Sequence, residues 1–168
     1  MNSSPYDSSS FIPFTGIIND REGYLHLIEE LEGLKRFLFR DKAGPISVKA
    51  GGYISADLEK IFKEIEQRGL EPATDDKQND FLNALIDYLE IIPFVKITLS
   101  FDPTAIFLSS INNKISLLAN KKIILDVAVD RRIIGGLKIE YLGKFADYSV
   151  GKKVDLFLTS SKEQFIHD

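Results

Sequence analysis

Cysteine is absent from all 168 residues. That excludes disulfides, thiolate metal ligands and cysteine nucleophiles together, and it fits a reducing compartment. Histidine is almost absent as well. His26 falls in a helical segment and His167 next to the last residue, and neither has a metal-ligand spacing. No window approaches the roughly 18 continuous apolar residues that a membrane span needs, and the opening residues lack the charged start and apolar centre of a signal peptide. No Walker A sequence occurs, no GxGxxG follows a strand, and no GxSxG is present. These absences predict a soluble, cytoplasmic protein that is not an enzyme, with no catalytic residues, no metal and no cofactor.

What is present supports a folded chain. Hydrophobic residues make up 44% of the sequence, enough for one good core, or for one core with a small helical appendage. Charge divides unevenly. Residues 1–94 carry 10 basic and 17 acidic side chains, a net of −7, whereas residues 95–168 carry 11 and 8, a net of +3. Such a break points to two regions facing different partners.

Three regions follow from the patterning. Residues 1–19 are Ser-rich and read as a flexible N-terminal tail, with Phe11, Ile12, Phe14, Ile17 and Ile18 available to anchor it. Residues 20–94 read as about three helices. The first starts at Asp20 with Leu27, Leu31, Leu34 and Leu38 on one face. The second follows Ser55 with Leu58, Ile61, Phe62 and Ile65, and the third spans about 77–91 with Phe81, Leu82, Leu85 and Leu89. Gly44, Pro45, Gly51 and Gly52 predict a loop between the first two.

From Val95 the period changes to two. Val95, Ile97, Leu99 and Phe101 alternate with polar residues, as do Ile123, Leu125, Val127 and Val129, then Leu137, Ile139 and Tyr141. Between the first two strands runs a helix opened by Asp102-Pro103, with Phe107, Leu108, Ile111, Ile115 and Leu118 inward and Asn120 as its C-terminal cap. Gly143-Lys144 is assigned to a hairpin turn, and Ser149 to the cap of a closing helix. The fold class is therefore α+β: a short helical region, then a β-α-β-β-α domain over 95–168 with helices on one face of a small mixed sheet.

Two functional readings arise from these elements alone. Asp126 and Asp130 have the even spacing that a carboxylate pair on a strand requires, although alternating outward acids are ordinary on a half-exposed strand. A βαββα order also matches most of an RNA-recognition module that would use the polar face of the sheet, but "GLKIEYLGKF" lacks that module's aromatic signature. The feature that neither reading absorbs is the pair Gly135-Gly136 inside "VDRRIIGGLKIEY". Glycines there weaken a strand, so they predict a bend, a positive φ or a close backbone approach.

The order Val129-Asp130, Ile134-Gly135-Gly136, then Asp147, Ser149 and Val150 is similar to the C-terminal region of the F-type ATP synthase delta subunit family, also called the oligomycin-sensitivity-conferring protein. Lys121 and Lys122 match as well. Tyr148 stands where the family often has Gly, and Gly151-Lys152-Lys153 replaces an R-G-R-like turn. The resemblance implies a short or divergent bacterial member, a non-catalytic stator connector that is monomeric when free. Its partners would be the alpha subunits of the catalytic head and the b subunits of the peripheral stalk. Nucleic acid would not be one, and the inner face of the cell membrane would be reached only through the complex. Lys152, Lys153, Val154, Phe157 and Leu158 would be the partner-binding candidates.

Overall fold

A computed structural model describes residues 6–39 and 44–154. The chain divides into two compact units between Ile92 and Pro93. No described helix is long and apolar enough to cross a membrane.

The first unit is helical. Helix α1 (Ile12–Thr15) continues a 3-10 turn over Ser8–Phe11, and is followed by α2 (Arg21–Phe37), α3 (Ile46–Ala50), α4 (Ala56–Gln67) and α5 (Asp75–Glu90). The long helices start where short polar side chains satisfy otherwise unpaired N–H groups. Asp20 accepts from Gly23 N at 2.9 Å, Ser55 from Leu58 N and Thr74 from Lys77 N. The predicted stripes are buried: Leu27, Leu31 and Leu34 of α2 with its C-cap Leu38, Leu58, Ile61, Phe62 and Ile65 of α4, and Phe81, Leu82, Leu85 and Leu89 of α5.

Two expectations change here. The Ser-rich opening is not a flexible tail from residue 6 onward. Phe11, Phe14 and Ile18 are buried, Phe14 packs 5.3 Å from Phe62 and Phe11 5.4 Å from Phe81, and Tyr6 donates to Lys77 O at 3.0 Å. The burial of these apolar groups outweighs the local turn preference of the serines. Within the predicted loop, residues 46–50 form α3. Pro45 supplies no side-chain cap, so distant carboxylates do: Ile46 N donates to Glu71 Oε1 (2.5 Å) and Ser47 N to Glu66 Oε1 (2.8 Å).

The second unit is β1 (Phe94–Leu99), α6 (Ala105–Ala119), β2 (Ile124–Val129), β3 (Leu137–Tyr141) and β4 (Lys144–Asp147), followed by helical residues at 150–154. Strand order is β2-β1-β3-β4, with β1 parallel to β2 and the other pairs antiparallel. Val95, Ile97, Leu99, Ile123 and Leu125 form the core, with Phe107, Leu108, Ile111 and Ile115 of α6 packed on it. Helix on one face of a mixed sheet is the α+β class that the alternation predicts.

Three details differ from the sequence reading. Thr104, not Asp102, caps α6, accepting from Phe107 N at 3.2 Å, while Asp102 pairs with Arg131 at 2.7 Å. Leu118 is exposed in the last turn, where left-handed Asn120 ends the helix and its stripe. The hairpin turn is Leu142-Gly143 (φ 49° and 74°), because Tyr141 pairs with Lys144. Two positive φ values define a type I′ turn, where asparagine is favoured first and leucine is strained. Leu142→Asn is expected to raise stability by about 0.5–1 kcal/mol, measured by urea unfolding.

Candidate functional site

The segment after β2 and the segment after β4 meet at one joint. Asp130 leaves the sheet with its N–H on Leu99 O (2.8 Å), and the backbone then tightens through Ile133 N to Asp130 O (3.1 Å) and Gly135 N to Ile133 O (3.0 Å). Gly135 and Gly136 both adopt positive φ, 63° and 89°. The second segment binds across them. Tyr148 N donates to Leu137 O at 2.9 Å, and Val150 N to Gly135 O at 3.1 Å. A Cβ on Gly136 would lie 2.4 Å from Tyr148 O and 2.8 Å from Ser149 Cα. The glycine pair is thus needed twice, for a left-handed backbone and for the close passage of another strand of backbone.

Two aspartates fix the ends of this joint. Asp130 accepts from Arg132 N (3.0 Å), Nε (2.9 Å) and Nη2 (3.0 Å). These bonds lower its pKa to about 2. Asp147 Oδ1 accepts from Ser149 N at 2.8 Å, and its carboxyl is likewise lowered, first by its hydrogen bonding to Ser149. Buried Ser149 in turn accepts from Lys152 N at 3.2 Å, which caps the helical residues 150–154.

The sign of the pH effect follows. Both carboxyls have native pKa values below their unfolded ones, so their contribution is present above the unfolded carboxylate range and is lost as pH falls, for Asp130 toward about 2. Unfolding midpoints measured between pH 5 and pH 2 should drop in the parent. In Asp130→Asn that acid-driven drop should be smaller, since one of the two groups no longer titrates.

The joint gathers Asp130, Gly135, Gly136, Asp147, Ser149 and Val150, while Val129 ends β2 beside it. Ile134 of the same run is 73% exposed. Lys152, Lys153 and Val154 are exposed on the helical residues that the joint launches. Phe157 and Leu158 lie outside the described residues, as does His167. Lys122 turns inward, donating to Asn112 Oδ1 at 3.0 Å, and burial pushes its pKa down. Lys121 donates to Tyr141 Oη at 3.0 Å.

Neither alternative chemistry gains support. Asp130 is held ionised by Arg132, so it is a poor proton donor, and Asp126 stands in register with Lys96 on the neighbouring strand. On the sheet face away from α6, the positions between Phe94 and the edge residue Phe145 are Lys96, Thr98, Lys138 and Glu140. The lysines there face acids at 3.8 Å, Lys96 with Glu140 and Lys138 with Asp147. A base-stacking surface needs aromatics at such central positions.

The sequence reading missed the outward apolar residues Ile106 and Leu117 of α6. Their signal was available, since α6 is apolar on more of its circumference than one packed face requires.

No curated protein matches the chain. Among solved structures, it resembles a chain of the Polytomella F-ATP synthase in a primary rotary state. The identity is 18% over 46% of this chain and 99% of that one, with a TM-score of 0.41. Residues 80–159, a span that begins in α5 and contains both halves of the glycine joint, match the family model of the ATP synthase delta (OSCP) subunit.

Proposed function

We propose that this protein is a non-catalytic connector in the stator of an F-type ATP synthase. It links the alpha subunits of the catalytic head to the b subunits of the peripheral stalk and resists rotor torque during ATP synthesis. The observation that carries this reading is the family match over residues 80–159. Its motif residues are used here for architecture: they shape a joint and do not assemble reacting groups. Two compact units with opposite net charge suit a part that must hold two different partners.

In this reading residues 95–168 dock the stalk, with Lys152, Lys153 and Val154 at the contact and Phe157 and Leu158 continuing it. Residues 20–94 grip the head with fewer long helices than the family's usual six-helix bundle. The protein is a divergent bacterial member, monomeric when free, and reaches the inner face of the cell membrane through the b subunits. Co-expression with the alpha and b subunits of its own synthase tests this. Recovery of all three on one affinity tag is expected, and absence of either partner overturns the proposal.

A further inference from the structure

Gly33 stands in the middle of α2 although nothing in the helix calls for glycine there. Glycine weakens a helix interior. Gly33 does not have a positive φ, and a Cβ on it would meet nothing within 4 Å. What the missing side chain leaves is space: Gly33 lines a cavity of about 300 Å³, partly open to solvent. That volume lies at the small end of the range for ligand sites.

The lining is apolar at one end and acidic at the other. Glu29, Gly33, Leu34 and Phe37 share one face of α2, and Tyr53 completes the wall. The rings of Phe37 and Tyr53 stack at 4.3 Å and 20°. Glu29 comes eight residues before Phe37, about 12 Å along the helix axis. The Glu30 carboxylate is already committed, accepting from Ser55 N and from Ser55 Oγ (3.1 Å) with His26 Nδ1 at 3.5 Å. Glu29 is exposed and has no ion-pair partner among the described residues. No lysine or arginine lines the cavity. Of the basic residues at that end of α2, Lys35 pairs with Glu32 at 3.2 Å and Arg36 borders the Phe37 end, so the open negative charge lies at Glu29.

We propose that this cavity binds a small organic amine. A flat apolar body lies over Gly33 and Leu34 against the Phe37–Tyr53 pair, and an ammonium group at its far end meets Glu29. The sign follows from the unpartnered carboxylate and from the net charge of −7 on residues 1–94. The size follows from the cavity, which holds an aryl ring on a short alkyl chain but is too small for a helix about 10 Å across. This site goes beyond the connector reading and does not rest on it.

The test titrates the full chain with phenethylamine, and with phenethyl alcohol and hydrocinnamate as its neutral and anionic counterparts, following amide chemical shifts. Phenethylamine should bind saturably with shifts centred on Gly33, Leu34 and Tyr53, the alcohol should bind at least about fivefold more weakly, and hydrocinnamate should not bind. Gly33→Met, which fills the cavity, should weaken phenethylamine at least about tenfold without lowering the melting temperature. Glu29→Gln should bring phenethylamine down to the affinity of the alcohol and leave the alcohol unchanged. Absence of phenethylamine binding, equal binding of hydrocinnamate, or full affinity in either variant would overturn the proposal. So would a Gly33→Met melting temperature lowered by several degrees, since the space would then already be filled by the chain itself.

Discussion

Gly136→Ala is expected to destabilise the second unit by on the order of 3 kcal/mol or more, and Gly136→Val to prevent that unit from folding. Two costs add at this position. A φ of 89° is one that L side chains rarely adopt. The added Cβ would also stand 2.4 Å from Tyr148 O and 2.8 Å from Ser149 Cα. Both neighbours are backbone atoms, so no rotamer change relieves the clash. The segment can retreat only by giving up the bonds of Tyr148 N to Leu137 O and Val150 N to Gly135 O.

Two other glycines separate the terms. At Gly143, φ is 74° and a Cβ would meet nothing within 4 Å, so alanine there should cost about 1–2 kcal/mol for conformation alone. At Gly135 the neighbour is Val150 Cγ2 at 3.2 Å, a side chain that can shift, so the cost should be intermediate. Denaturant unfolding of the three alanine variants should rank Gly136 well above Gly135, with Gly143 mildest. If Gly136→Ala were as mild as Gly143→Ala, the close passage would not be what the pair is for.

Lys49→Met is expected to destabilise the first unit by about 2–3 kcal/mol at neutral pH. The Lys49 side chain is 1% exposed, with Nζ 2.5 Å from Asp75 Oδ1 and 2.7 Å from Gln78 Oε1. Gln78 is buried and donates to Gly44 O, Glu71 and Pro72 O, so one ammonium and one amide tie α3 to the start of α5. Methionine keeps the length and apolar stem but leaves Gln78 Oε1 without its donor. Asp75 is half exposed, and water there keeps the loss below the roughly 3–5 kcal/mol of a fully buried broken pair.

The effect should depend on pH in a defined direction. Burial raises the Glu71 pKa, with Glu66 adding to the rise and Lys49 opposing it. A raised carboxyl costs stability when ionised and none when protonated, so removing Lys49 enlarges a cost that sets in as pH rises past the ordinary carboxylate range and is full above the raised Glu71 pKa. Lys49→Met should therefore lose more at pH 7 than at pH 4.5. Unfolding curves at the two pH values, with hydrogen exchange locating the loss to α3 and its neighbours, measure this. A neutral or stabilising Lys49→Met would show that the ammonium is dispensable there.

The parts of the fold that were legible in the sequence are those set by neighbours along the chain. Asp20 and Ser55 announce their helices because a cap acts within three residues. Val95, Ile97 and Leu99 announce a strand because burial repeats every second residue. Helix α3 was invisible because its caps, Glu66 and Glu71, come from about twenty residues away. The packing of residues 6–18 was hidden for the same reason, since Phe62 and Phe81 supply the surface that holds Phe14 and Phe11. The hairpin turn was misplaced by one residue because a left-handed leucine, Leu142, is a rare choice.

At the candidate site the glycine pair could be read as a backbone requirement. What crosses it could not, because Tyr148 and Ser149 lie beyond two strands of intervening chain. The structure makes the two halves of the motif a single object: Gly135-Gly136 is shaped to the backbone that Asp147 and Ser149 hold in place.

The proposed connector role is tested most directly in membranes from the protein's own cell, prepared with and without this chain, by measuring two rates together. ATP hydrolysis by the head should persist while ATP-driven proton pumping into membrane vesicles is lost, and adding back the purified full chain should restore pumping. Undiminished pumping without the protein would contradict the account.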